Sequence, residues 1–189
     1  MSGLWVFVCG PSGAGKDSVI RWSEDHLGAR TDLLFARRVV TRASFPGSDH
    51  DPVTPRQFAR MLGSGGLVWR WEAHGFHYGV EARYAAEVAA GRVVVVNGSR
   101  EHAGGLDDVD RVRVVQILAE DLDLKERLQR RGRDAPHEVA ERLARNQMFE
   151  NLRVDCSILN QGELAQAGQQ LADYLLTAVT SVASRQVSV

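Results

Sequence analysis

At 189 residues, 44% hydrophobic, 25% charged and with a formal net charge of −1, the chain has the size and composition of one globular domain that can bury a proper core. The near-neutral balance excludes a general nucleic-acid binder, which carries a basic excess, and no apolar run approaches the about 18 residues that a membrane span needs. Lysine is nearly absent: only Lys16 and Lys125 occur, and every other basic residue is arginine.

The chain alternates short apolar runs with longer amphipathic stretches, which predicts an α/β fold on a parallel sheet. Leu4 to Cys9 is a continuous apolar run, the mark of a strand buried on both faces. A glycine-rich turn follows, then a helix from about Lys16 to Leu27. Leu33 to Val40 reads as a second strand. Thr54-Pro55-Arg56-Gln57 starts a helix: Thr caps, Pro takes the first turn and Gln completes a capping box, with the end at Gly63. Val68 to Tyr78 holds two extended pieces about the turn Ala73-His74-Gly75. Glu81 to Ala90 is helical and stopped by Gly91.

Val93 to Val96, four valines, is the clearest central strand, and Val112 to Leu118 is another. Helices are expected over about 122–130 and 136–148, a last strand over Val154 to Leu159, and a final helix from about Glu163 to Val182, with SRQVSV frayed. No internal repeat, low-complexity tract or interdomain linker interrupts this order. Cys9 and Cys156 sit in strand-like contexts and are expected as buried free thiols, with no disulfide framework or metal-ligand spacing. LWVFVC is too short for a signal-peptide core and has no basic lead, so a cytoplasmic protein is expected.

The chemistry concentrates in GPSGAGKDS, residues 10 to 18, which keeps the spacing of a phosphate-binding loop, G-x-x-x-x-G-K-[ST], except at its last position. Buried strand, glycine turn and helix are the right context. Backbone N–H groups there surround a phosphate and the helix N-terminus adds its positive end. Gly10, Pro11, Ser12, Gly13, Ala14, Gly15, Lys16, Asp17 and Ser18 are therefore the expected ATP-binding residues, with Lys16 reaching the β- and γ-phosphates. Where a hydroxyl would touch Mg²⁺, the chain has Asp17. A hard carboxylate oxygen suits Mg²⁺, so Asp17 is the candidate metal ligand.

With the Thr41-Arg42 pair, the segment Trp71 to Val80 and the arginine cluster between Leu128 and Arg145, the loop resembles guanylate-kinase-type nucleoside monophosphate kinases over nearly the whole chain. More narrowly, GPSGAGKDS, VVTR (39–42) and VNGSR (96–100) resemble the ribose 1,5-bisphosphate phosphokinases, guanylate-kinase relatives that use ATP to make 5-phosphoribosyl 1-diphosphate in phosphonate breakdown. The resemblance implies a P-loop kinase domain with core 1–32, 92–130 and 149–183, an acceptor-binding segment 33–91 and a lid 131–148. It also implies ATP and Mg²⁺, a small sugar bisphosphate as partner, and neither nucleic acid nor membrane.

Site residues carry over one by one. Arg42 matches the acceptor-phosphate arginine and Tyr78 the phosphate-contacting tyrosine; His50 falls where guanylate kinases carry another such tyrosine, and Arg38 adds a cation where they carry serine. Arg131 and Arg142 match arginines that close over the transferred phosphoryl group, and with Lys16 they are the expected catalytic residues. Asn97 stands where guanylate kinases place an aspartate at a strand end, with Arg100 beside it as a further acceptor contact.

The departures decide the substrate. Trp69 and Val80 occupy the positions that read guanine through an acid and a hydroxyl, and neither accepts a hydrogen bond from the base. More cation and less base recognition suit an acceptor with two phosphates and no base. The alternatives are a nucleoside monophosphate kinase, which Trp69 and Val80 oppose, and a non-catalytic binding module, which the retained Lys16, Arg131 and Arg142 oppose. His74 and His77, beside the acceptor segment, are secondary candidates; His26, His102 and His137 read as surface residues, and Trp5, Trp22 and Trp71 as packing.

Overall fold

A computed structural model describes residues 3–44, 48–106, 109–120 and 152–187. In chain order these form β1 (Leu4–Cys9), α1 (Lys16–Leu27), β2 (Leu33–Ala36), β3 (Arg38–Val40), β4 (His50–Pro52), α2 (Pro55–Gly63), β5 (Leu67–Ala73), β6 (Phe76–Glu81), α3 (Arg83–Ala89), β7 (Val93–Asn97), α4 (Arg100–Ala103), β8 (Val112–Leu118), β9 (Cys156–Leu159) and α5 (Leu164–Val187). The expected helices over 122–130 and 136–148 lie outside the described residues.

A parallel five-stranded sheet has the order β2-β7-β1-β8-β9, and a four-stranded sheet the order β4-β3-β6-β5. Contacts divide the chain into two compact units. One, the hairpin unit, comprises Met1–Val6, Ala29–Asn97 and Leu175–Val189; the other, the loop unit, comprises Phe7–Gly28 and Gly98–Tyr174.

In the hairpin unit β2 runs parallel to β7, Leu33 against Val93 through Ala36 against Val96. Val93 to Val96 are each at most 2% exposed, so every valine contributes the about 1.5–3 kcal/mol of a fully buried side chain. Trp5 meets Trp69 edge-on at 5.8 Å. The helix start at Thr54 is as expected: the Thr54 hydroxyl accepts from Gln57 N–H, and Thr54 N–H donates to the Gln57 side chain at 2.7 Å. The β5–β6 turn puts His74 (φ 53°) and Gly75 (φ 74°) both in the left-handed region, a two-residue hairpin turn whose twist matches that of the strands.

The expected single strand from Leu33 to Val40 is in fact two strands belonging to different sheets. Arg37 is the break. Its N–H leaves the strand ladder and donates to the Tyr84 hydroxyl at 3.1 Å, while its guanidinium bonds the Asp51 carboxylate at 2.8 and 3.0 Å. An apolar count cannot see a corner made by one backbone N–H. The short β4 and α4 lie beyond the expected elements for the same reason: three or four residues carry no periodicity.

In the loop unit β8 and β9 pair in parallel, Val115 against Cys156 through Leu118 against Leu159. Phe7, Val8, Val19, Ile117, Ile158 and Leu171 are at most 1% exposed. Gly168 lets α5 lie against α1: a Cβ there would come within 2.2 Å of the Trp22 ring, and its carbonyl accepts from the buried Ser23 hydroxyl at 2.8 Å. α5 continues to Val187, so part of the tail expected to fray is helical. Cys9 is buried as expected, whereas Cys156 is only half-buried.

Candidate active site

The loop unit holds residues 10 to 18 between β1 and α1. Gly10 is required by close approach, since a Cβ there would sit 2.2 Å from the Ile117 carbonyl oxygen. Gly13 (φ 95°) and Gly15 (φ 79°) occupy backbone conformations that side chains rarely adopt. Gly15 opens α1 in the left-handed conformation with no side-chain capping bond among the described residues, which leaves first-turn N–H groups available for an anion. The loop is tied from behind: buried Asn160, just past β9, donates from Nδ2 to the Ala14 carbonyl at 2.7 Å.

Lys16 Nζ lies 3.3 Å from Asp17 Oδ1, with Lys16 largely covered and the Asp17 side chain 61% exposed. Ser18 is exposed beside it. Burial pushes the Cys9 thiol up to about 11, and Lys16 and Arg100 each pull it partly back, so both cations lie near the carboxyl end of β1. Arg100 begins α4, whose N-cap Ser99 accepts from His102 N–H. A neutral thiol there is packing and not a nucleophile.

Among the described residues no three His, Cys, Asp or Glu side chains cluster as a metal cage. Asp17 and Ser18 fit Mg²⁺ in the other common manner, in which one carboxylate and a hydroxyl act with phosphate oxygens and water.

The hairpin unit gathers most of the expected acceptor residues. Trp71 and Tyr78 are cross-strand partners on β5 and β6, their rings stacked at 5.5 Å and 8°, and the Arg38 guanidinium lies 5.6 Å from the Tyr78 ring centre. Arg38 is 7% exposed and His50 2%. Arg38 Nη2 donates to Asp49 Oδ2, and the same oxygen accepts from Asn97 Nδ2 at 2.5 Å. Asn97 is buried at the end of β7. The exit of β3 is pinned to β6, with Thr41 N–H donating to the His77 carbonyl at 3.0 Å and Thr41 Oγ1 accepting from His77 N–H at 2.9 Å. This places the Arg42 guanidinium 5.7 Å from the Phe76 ring centre.

Arg38 Nε, Arg42 Nε and both His50 ring nitrogens are buried without a hydrogen-bond partner among the described residues. Buried donors without partners are costly, and ones clustered on a cationic surface fit an absent anionic ligand. Trp69 and Val80 are themselves a cross-strand pair, and neither side chain carries a hydrogen-bond acceptor.

His77 is on the other face of the hairpin, 3.0 Å from Glu72 and stacked on Phe58 of α2, away from Tyr78. There, Phe58, Leu62, Arg70 and His77 help line a groove of about 480 Å³ that contains none of the expected acceptor residues. His26 is exposed and stacks on Trp22. His102, expected at the surface, instead packs against Phe7 at 5.4 Å, and burial holds its pKa below the ordinary value. Arg131, Arg142 and the rest of the arginine cluster, with His137, lie outside the described residues.

No family model matches the chain. A ribose 1,5-bisphosphate phosphokinase PhnN of Pseudofrankia inefficax is 39% identical over 180 residues, 93% of this chain and 92% of that protein. The chain belongs to the PhnN family. A bifunctional ribose 1,5-bisphosphokinase-thymidine phosphorylase of Azorhizobium caulinodans is 42% identical over 76% of this chain, which spans only 21% of that longer protein. Among solved structures, a guanylate kinase from Anaplasma phagocytophilum superposes with a TM-score of 0.67 at 17% identity, covering 93% of this chain and 86% of that one. The PhnN-family chain therefore has the guanylate-kinase fold.

Two residues that shape the site carry no signal in the expected motifs. Asn160 could have been suspected as a lone amide ending the apolar run CSIL, at the carboxyl edge where such sheets bind ligands. Asp49 could have been suspected as an acid between Arg38-Arg42 and His50, where charge alone favours only cations.

Proposed function

We propose that the chain transfers the γ-phosphate of ATP to the 1-phosphate of ribose 1,5-bisphosphate, giving 5-phosphoribosyl 1-diphosphate and ADP, in phosphonate degradation. The observation that carries this reading is the hairpin unit's combination of buried donors without partners on Arg38, Arg42 and His50 with a Trp69–Val80 pair that has no acceptor. Such a surface takes phosphate and offers no hydrogen-bond acceptor to a purine edge. Membership in the PhnN family supports the same acceptor.

An acceptor phosphate oxygen attacks Pγ, the bond from Pγ to the β–γ bridging oxygen breaks, and ADP departs with that oxygen. The nucleophile is already an anion, so no general base is needed. Catalysis then rests on positioning and on cations that meet charge spreading over the equatorial oxygens. Loop N–H groups and Lys16 hold the β- and γ-phosphates. Asp17 with Ser18 would hold Mg²⁺, which would neutralise phosphate charge. Arg38, Arg42, His50, Tyr78, Asn97 and Arg100 bind the acceptor, the residues of segment 33–91 supplying most of them. Arg131 and Arg142, of the expected lid 131–148 outside the described residues, are assigned to the transferring group by the resemblance alone. A cytoplasmic location, where ATP is at hand, is part of this reading.

Phosphorus NMR of ATP with ribose 1,5-bisphosphate tests the reading. A new diphosphate resonance is expected, and none with GMP or AMP as acceptor; turnover of GMP alone overturns it. For the metal, Asp17→Ala is expected to raise the Mg²⁺ concentration needed for half-maximal rate, and an unchanged metal dependence removes Asp17 from that role.

A further inference from the structure

The acceptor has two kinds of polar group with opposite needs. Its phosphates require hydrogen-bond donors, and its sugar hydroxyls require acceptors. Arg38 and Arg42 have donors only, because a guanidinium carries five N–H groups and no lone pair to offer. These two cations fix phosphates but give a sugar hydroxyl no acceptor.

Asp49 supplies what the cations lack. Its Oδ2 is already used, accepting from Arg38 Nη2 and from Asn97 Nδ2. Its Oδ1 lies 3.7 Å from His50 Nδ1, beyond hydrogen-bond distance, and the side chain keeps 30% exposure. One oxygen is thus locked into the site, and the other accepts no hydrogen bond among the described residues. A carboxylate on a phosphate-binding surface repels its own ligand at short range, and partial burial strengthens that repulsion. A charge in that place is tolerable where it returns a strong, charge-assisted contact, and hydroxyl-to-carboxylate bonds are of that kind.

We infer that Asp49 is the specificity-determining residue for the sugar, accepting a hydrogen bond from the C2 or C3 hydroxyl of the acceptor through Oδ1 while Oδ2 holds Arg38 and Asn97 in place. The inference rests on the sugar-bisphosphate reading above and adds a requirement to it: the substrate must be a hydroxylated sugar, not merely a bisphosphate of the right length.

The test measures kcat/KM on the full chain with ribose 1,5-bisphosphate and its 2-deoxy and 3-deoxy analogues, for wild type and Asp49→Asn. Wild type is expected to prefer the parent over at least one analogue by about 100-fold or more, as sites built to hydrogen-bond a hydroxyl do. Asp49→Asn is expected to lose mainly on the parent, so the preference shrinks to a few-fold. Equal use of all three sugars by wild type overturns the inference while leaving the phosphotransfer reading intact. A variant that slows all three by one common factor overturns it too, because Asp49 then acts only through Arg38. If the parent itself is not phosphorylated, the broader reading falls and this one with it. Should Asp49→Asn not fold, Asp49→Glu keeps the charge while moving the carboxylate, and a wild-type preference unchanged in that variant overturns the assignment.

Discussion

On the proposed reading, the loop unit meets anions through its main chain and the hairpin unit through its side chains. Around residues 10 to 18 the features that matter are dihedral angles and close approaches: Gly13 and Gly15 at positive φ, Gly10 against the Ile117 carbonyl, and uncapped N–H groups at the start of α1. In the hairpin unit they are the side chains of Arg38, Arg42, His50 and Asp49, with Arg38 over the Tyr78 ring, Arg42 over the Phe76 ring and Asp49 bonded to both Arg38 and Asn97. A main-chain site tolerates few substitutions but recognises any phosphate of the right shape. A side-chain site can change its ligand residue by residue while its strands stay in register, as Trp69 and Val80 illustrate on a guanylate-kinase fold.

The contrast can be broken most sharply at Lys16, the cationic side chain next to the main-chain site. Lys16→Ala is expected to lower turnover by about 10³-fold, the scale of losing a cation at a developing phosphoryl charge, with an unchanged melting temperature. Next comes Gly10→Ala. Its Cβ must displace the Ile117 carbonyl, and urea denaturation should show a loss of about 3 kcal/mol.

The side-chain site should respond differently. Arg42→Lys keeps charge but removes the planar fork, and is expected to raise the acceptor KM between about 10- and 100-fold while calorimetry finds ATP affinity unchanged. A matching change in ATP affinity would erase the distinction between the two units. The smallest effect is expected at Asn160→Ala, which strips the Ala14 carbonyl of a 2.7 Å bond. A stability loss of about 1–2 kcal/mol should accompany a modest weakening of ATP binding, with acceptor KM unmoved.

The main-chain site was legible in the sequence because spacing specifies it: GPSGAGK after a buried strand predicts both the loop and the start of α1 at Lys16. β1, β8 and the capping box at Thr54 were equally plain, since apolar runs and caps are local signals. The side-chain site was half legible. Arg38, Arg42, His50, Tyr78 and Asn97 could be named by resemblance, but Asp49 could not be linked to Asn97 across 48 positions of chain. The break at Arg37 was hidden for a related reason, because its cause is a hydroxyl on Tyr84, 47 residues on. His102 was misjudged because a four-residue helix gives no face to read, and its burial depends on Phe7.

The register of β2 with β7 has a consequence for how such a chain can change over time. Everything from Arg38 to Arg92 leaves from one strand and returns to its hydrogen-bonded neighbour, Ala36 pairing with Val96 and Leu33 with Val93. Both anchor points are fixed by the sheet itself, and closing a longer or shorter excursion between fixed ends costs little, about 0.6 kcal/mol for each doubling of length. The excursion is therefore an exchangeable cassette: it can be rewritten, lengthened or grafted from a relative to install a new acceptor, while the valines of β7 keep their register against Leu33 to Ala36 of β2.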